Sequence, residues 1–407
     1  GTGVTVSDVD HIRDLFLTEQ YRQESKSLGE WNYKQKIFSQ VESLFNEPND
    51  NTLSDHINEF WNAWDSFSQS PDSSSARDSL VSVTQQMTNG FHKLSQQLTD
   101  LRNAIDADMR NYTGEINQMT QQLAHLNREI QRMEVGNANA NDLRDKRDLI
   151  LDDLSQLVDI NSHENERGEL VVYVGAMSIV NGNDAIPLEN KVVNKNGQPT
   201  NQLVWQNTDI QLKNMSGELK AVFDSRDKII NSYKAQLDSL AQTMVEQVNA
   251  LHSTGTTTDG STGINFFNPN NSDAFSITIN QEILNDLNNI TASTSGLESD
   301  NTLALQIADL RYQTVMVDDT TTMNDFYNSV VGRVGVETKS AISFAENYSL
   351  LVNQIESSRQ SVQGVSLDEE MTNMIKYQQA YDAAARVITT MDQALDTVIH
   401  GMGIVGR

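Results

Sequence analysis

One apolar seam limits what this chain can fold into. From Leu80 it runs through Val83, Met87, Phe91, Leu94, Leu98, Leu101, Ile105, Met109, Tyr112, Ile116, Met119, Leu123, Leu126 and Ile130 to Met133. Steps of three and four alternate, except at two places where two fours follow each other. The mean step is about 3.5 residues, the coiled-coil period. A helix that starts near Ser74 or Ser75 and carries this seam is a rod of roughly 90 Å at about 1.5 Å per residue. No compact enzyme core requires a rod of that length.

Helical spacing recurs on both sides of the rod. Residues 8–45 read as a helix through Ile12, Leu15, Phe16, Tyr21, Leu28, Trp31, Ile37, Phe38, Val41, Leu44 and Phe45, with Ser7 as its N-cap. After the break at Glu47-Pro48-Asn49-Asp50, a short helix carries Ile57, Phe60, Trp61, Trp64 and Phe67. Three of the four Trp lie here or in the helix before it, which predicts a dense packing point. Beyond the rod, a helix with Leu143, Leu149, Ile150, Leu154, Leu157 and Val158 is wrapped in Asp142, Arg144, Asp145, Lys146, Arg147, Asp148, Asp152 and Asp153. Opposite charges three or four apart predict a solvated face there.

The period then changes. Leu170–Val174, Ser178–Val180, Leu203–Trp205 and Ile210–Leu212 read as strands, with hairpin-type turns at Asn181-Gly182 and Asn196-Gly197. Helix returns over 216–252, a polar loop fills 253–271, and Phe275–Ile279 reads as one more strand. Two helices close the chain, one over about 323–362 and one opened by the capping box Ser366-x-x-Glu369. The fold class is therefore mainly α with an inserted β domain, a long antiparallel helical bundle or coiled-coil rod. Its expected parts are a helical rod over 1–158, a β domain over 159–222, a second helical part over 223–362 with an excursion at 253–300, and a C-terminal amphipathic helix within 363–407.

The net charge of −27 argues against a general nucleic-acid binder, which needs a cationic surface. With no Cys there is no disulfide, zinc-thiolate or thiol nucleophile. No apolar run approaches the ~18–20 residues that cross a bilayer, so no membrane insertion is expected. No two of the seven His lie three or four apart, and neither a phosphate-cradling Gly-rich loop nor a G-x-S-x-G elbow is present. The pairs Asp152/Asp153 and Glu369/Glu370 are adjacent, hence on different helix sectors, and are assigned to solvation. Asn268–Asp273 lacks the Gly and distal Glu of a calcium loop. No catalytic, metal or cofactor residue is nominated. The last helix stands apart, with a seam Leu367, Met371, Met374, Gln378, Tyr381, Ala385, Ile388, then, after a one-residue slip, Met391, Leu395, Val398 and Met402. Such a terminal helix is either docked on its own domain or awaiting another chain.

Four stretches resemble the bacterial flagellar hook-associated protein 1 family, the first hook–filament junction proteins. They are Gly1–Val6 with Asp14–Leu17 and Gln20–Arg22; Asp142–Ile150 with Leu154-Ser155 and Leu157-Val158; Asp325–Tyr327 with Val334-Gly335; and Leu367–Met371 with Gln378–Tyr381, Ala384–Ile388 and Met391-Asp392. The last is the most specific, although its general form is shared with other flagellar axial proteins. The resemblance implies a structural subunit, not an enzyme, exported unfolded by the type III route to the flagellum and assembled through terminal coiled-coil helices. It implies as partners the hook protein, the second hook–filament junction protein, neighbouring copies and an export chaperone. It assigns the assembly and chaperone surface to Leu367, Met371, Met374, Tyr381, Ala385, Ile388, Met391, Leu395, Val398 and Met402. It also implies a further N-terminal helical segment ahead of Gly1, without which the last helix is expected to fray or to make a non-assembled contact. The competing expectations are a surface adhesin, with helices as a stalk and a ligand-binding β domain, and a hydrolase hidden in the polar loops.

Overall fold

A computed structural model describes residues 14–45, 52–135, 139–165, 168–195, 198–213, 215–257, 259–297, 300–363 and 367–401. The chain divides into two units, residues 21–352 and residues 1–20 together with 353–407.

In the larger unit, α3 (Ser74–Glu134) is the spine. Ser73 starts it by accepting a hydrogen bond from the Ala76 N–H at 3.3 Å. Every seam residue from Leu80 to Ile130 is buried or half-buried, and Met133 at the far end is 51% exposed. No single mate covers this seam. It meets in turn α2 (Leu53–Gln69), α6 (Asn231–His252), α5 (Gly217–Asp224), α4 (Asn141–Leu157) and the strands after α4.

Polar side chains along α3 set the register of these partners. His92 donates to the Ile277 carbonyl at 2.8 Å, and Thr99 accepts from Lys234 of α6 at 3.2 Å. Asp106 pairs with buried Arg226 at 3.0 Å, and Tyr112 donates to Glu218 of α5. Asn117 both donates to and accepts from the Leu188 backbone at 2.8 Å, and Asn127 donates to the carbonyls of Leu170 (3.0 Å) and Gly182 (2.6 Å). Each buried backbone group satisfied this way avoids a desolvation cost of about 1–3 kcal/mol.

The β region is a four-stranded antiparallel sheet in the order β1 (Ile160–Glu164), β2 (Leu170–Val174), β3 (Met177–Asn181), β4 (Asp184–Ala185), followed by the hairpin β5 (Leu188–Lys195) and β6 (Gln198–Trp205). Asn181 pairs with Asp184, so the predicted turn is made by Gly182 (φ +57°) and Asn183. The turn at 196–197 lies outside the described residues, between Lys195 and Gln198, which pair. Ile210–Leu212 is a single bridge to β6 rather than a strand. Helix α5 opens at Gly217, so the last residues of the expected 159–222 segment are helical. Gly217 has φ +74°, and a Cβ there would meet the Gln156 and Leu157 carbonyl oxygens at 2.8 and 2.9 Å.

Three further expectations change. Helix α4 is not simply a solvated face: Arg147 is buried and pairs with Glu164, Arg144 joins Glu134 and Glu164, and Asp152 takes Arg22 of α1 (Leu15–Phe45) at 2.7 Å. Arg144, Arg147 and Asp152 of α4 reach neighbouring elements, because β1, α3 and α1 bring them partners outside the helix. Residues 216–252 are not one regular helix, since a π-helical turn at Ser225–Ile230 separates α5 from α6. It holds Arg226 where it reaches Asp106, Asp227 and the Asn201 carbonyl. Phe275–Ile279 is not a strand: Phe275 and Ser276 are turn and only Ile279 forms a bridge, to Phe267, because the Asp273 carboxylate accepts from the N–H groups of Phe275 and Ser276 at 3.0 Å and bends the backbone.

The Trp-rich segment is a packing point. α2 opens with a capping box between Thr52 and Asp55. Its Phe60, Trp61, Trp64 and Phe67 are buried, with Phe60–Trp61 ring centroids 4.8 Å apart and Trp64–Phe266 5.0 Å. Two short helices, α7 (Gln281–Asn285) and α8 (Thr302–Asp309), precede α9 (Met323–Gln363), which passes through Gly332 and Gly335 without a break.

In the smaller unit, Asp14 begins α1 by accepting from the Phe16 and Leu17 N–H groups at 2.9 and 3.1 Å. The predicted N-cap Ser7 lies outside the described residues. The rest of the described part of this unit is the start of α1, the end of α9 and α10 (Leu367–Gly401).

Candidate assembly surface

Interior titratable groups in the larger unit serve the fold. His252 is fully buried, with Nδ1 donating to the Ile264 carbonyl at 2.7 Å and Nε2 accepting from the Thr291 N–H at 3.1 Å. Burial pulls its pKa down to about 4, helped by the Arg77 charge, so the ring is neutral. Tyr33 and Tyr112 are pushed up by burial, each donating to a carboxylate, Asp108 and Glu218. Among the described residues no group of three His, Cys, Asp or Glu is arranged to hold a metal. A cleft of about 330 Å³ lies between α1, α2, α3 and α9, lined by Phe45, Leu53, His56, Lys93, Gln97 and Tyr327.

α10 is built differently. Met374 is 62% exposed and Ile388 67%, and Met371, Tyr381, Ala385, Met391, Leu395 and Val398 are exposed as well. The helix is continuous from Leu367 to Gly401. The side chain of Leu367, Met402 and the cap residue Ser366 lie outside what is described. No described helix is long and apolar enough to cross a membrane.

The slip after Ile388 has a geometric origin. Two heptad rows run along α10. Row A is Leu367, Met371, Met374, Gln378, Tyr381, Ala385, Ile388, Leu395 and Ile399, and Asp392 interrupts it. Row B is Tyr377, Ala380, Ala384, Val387, Met391, Ala394 and Val398, which is row A displaced by one residue, about 100° round the helix. The seam read from sequence follows row A to Ile388, crosses to row B at Met391, and then alternates. Tyr377 and Val387 of row B and Ile399 of row A are exposed members that this reading missed; the heptad repeat of each row was the signal for them.

Helices gathered on one long spine, an inserted β region and an amphipathic terminal helix define the architectural class, a helical rod-type protein with a small β insertion. The sequence family described as "Flagellar hook-associated protein FlgK helical domain" matches residues 38–267. A second, "Flagellar basal body rod FlgEFG protein C-terminal", matches residues 356–400. Flagellar hook-associated protein 1 of Bacillus subtilis (strain 168) is 30% identical over all of this chain and 87% of its own length. The protein of the same name from Salmonella typhimurium is 24% identical over 98% of this chain and 90% of its own. The structure of the flagellar hook junction protein FlgK from Burkholderia pseudomallei superposes with a TM-score of 0.71, at 16% identity, over 85% of this chain and 100% of that one, a likeness of fold. The chain belongs to the flagellar hook-associated protein 1 (FlgK) family. Its role in the bacterial flagellum is structural.

Proposed function

We propose that this chain joins hook to filament and does so by assembly through α10 after export in an unfolded state. The observation that carries the reading is the bared α10, whose described large apolar side chains all lie exposed along the length of one helix. At about 0.8 kcal/mol per buried methylene, covering a row of Met, Tyr, Ile and Leu offsets the ordering cost of the helix, so polymerisation and folding are coupled. Residues 1–158 and 223–362 form the rod, 159–222 carry the outward β segment, and 363–407 form the polymerising segment. Its partners are the hook protein, the second hook–filament junction protein and neighbouring copies. An export chaperone covers the same helix beforehand, because a seam that fits kindred subunits also invites premature association. No step of this mechanism requires catalysis.

The test is made in the producing bacterium. Replacing Met374, Ile388 and Leu395 together by Asp is expected to leave hooks bare and filament subunit in the medium. A normal number of filaments overturns the reading. Deleting residues 367–401 is expected to abolish chaperone binding, and an unchanged affinity overturns that part.

A further inference from the structure

The backbone groups of a strand turn alternately to its two edges, so every second residue bonds on the same side. In the β5–β6 hairpin, Leu188 of β5 donates its N–H to the Asn117 side chain and accepts from it at its C=O, both at 2.8 Å. On β6, the Trp205 N–H goes to the Ile210 carbonyl, the Leu203 carbonyl accepts from the Leu212 N–H, and the Asn201 carbonyl accepts from Arg226. These four residues therefore face the outside of the hairpin. The residues opposite Leu203 and Asn201 are Asn190 and Val192. By the same alternation Asn190, Val192 and Asn194 turn their N–H and C=O groups away from β6, along the outer edge of β5. Among the described residues no backbone group bonds to them from that side. Val192 is 64% exposed, and Asn194 is exposed as well. A lysine often guards such an edge, but Lys191 is engaged by Asp209 at 2.5 Å.

We propose that the outer edge of β5 receives the same edge of a second copy of this chain, antiparallel, about a two-fold axis at Val192. The register of β5 selects this occupant. Centred on Val192, the pairing sets Val192 against Val192, Asn190 against Asn194 and Asn194 against Asn190, so all three outward residues of each copy meet outward residues of the other. A shift by one residue sets outward groups against groups already used by β6. Centring on Asn190 brings Val192 against Leu188, whose edge Asn117 occupies, and centring on Asn194 carries Val192 past the end of β5 at Lys195. Copies with a net charge of −27 repel one another over most of their surfaces, so a contact between them has to avoid opposed carboxylates. Here the pairs are Asn with Asn, Val with Val and Lys191 with Val193. Such an isologous contact closes after two copies and yields a dimer, not a ring or a fibre. It uses neither α10 nor another flagellar subunit, and it stands independently of the assembly reading above.

The chain has no Cys, so single cysteines report without ambiguity. Opposed residues of an antiparallel pair lie within disulfide reach, so two copies of Val192→Cys can be joined across the axis. Under mild oxidation of the purified full chain, Val192→Cys is expected to form disulfide dimer roughly tenfold faster than Gln121→Cys, at an exposed site on α3. Equal rates overturn the proposal. Sedimentation of the unsubstituted chain over a range of concentrations reads the dimer without any cysteine, and a chain that stays monomeric throughout overturns it too. Val192→Pro removes an N–H that β6 does not use, so the hairpin is expected to keep its fold while the dimer weakens by about tenfold or more. Val192→Lys guards the edge without altering the backbone and is expected to do the same, which covers the case of a misfolded proline variant. A dimer of unchanged affinity in Val192→Lys places the contact elsewhere on the chain and overturns the β5 edge.

Discussion

Helices α3 and α10 share a heptad spacing and differ in almost everything that spacing is used for. In α3 the seam from Leu80 to Ile130 is covered, and polar side chains such as Asn117 and Asn127 reach across to fix each partner. In α10 the apolar side chains stand bare, and the described threonine hydroxyls turn back on their own helix, Thr372 to the Asp368 carbonyl and Thr389 to that of Ala385. A period therefore specifies a stripe and not a mate. Cross-element hydrogen bonds are what tie a stripe to one partner, since they cost about 1–3 kcal/mol each if the partner is exchanged.

The sharpest way to break this contrast is to truncate one residue of each helix. Phe91→Ala in α3 is expected to destabilise the chain by about 3–5 kcal/mol in urea unfolding, as a fully buried aromatic leaves a cavity. Tyr381→Ala in α10, at an exposed position, is expected to shift it by less than about 0.5 kcal/mol. Comparable losses from the two would mean that α10 is covered within the monomer.

Arg147→Ala probes the ionic lock between α4 and β1. About 3 kcal/mol is expected to be lost, at the low end for breaking a buried pair because Glu164 retains some access to water. A loss below about 1 kcal/mol would restore the solvated-face view of α4.

Acid separates covered from bare regions in another way. The His252 pKa in the folded chain, about 4, lies below its ordinary 6.5, so the unfolded chain takes up the proton first. Stability present above about pH 6.5 is then lost as pH falls toward about 4, by about 3 kcal/mol. His252→Gln is expected to flatten the dependence in that window, as read by unfolding at several pH values, and an unaltered slope would assign it to other groups. A smaller effect, about 2 kcal/mol, is expected from Asn127→Ala, which strips the Leu170 and Gly182 carbonyls of their donor. Thermal unfolding that leaves this variant unchanged would show that the β region holds to α3 without it.

Much of the fold was legible in the chain. The bounds of α3, the Trp-rich α2 and the hairpin around Gly182 follow from periodicity and turn chemistry, which act over a few residues. Phe275–Ile279 misled because a β-branched run says nothing of the Asp273 carboxylate that turns it. The charges of α4 misled because i,i+4 spacing cannot reveal that β1 delivers Glu164 to Arg147. On α10 the apolar residues were legible, but a single best path through them concealed that they form two rows.

Sequence by itself determined where the long helices and the hairpin at Gly182 lie and which stripe of each helix is apolar, since backbone preference and side-chain period are local properties. Tertiary structure alone decided that the α3 stripe is closed and the α10 rows are open, that Arg147, Arg226 and His252 are interior, and that a π turn aims Arg226 at Asp106. Those outcomes depend on which distant segments arrive at a surface and on the loss of water when they do, and neither is written in any short run of residues.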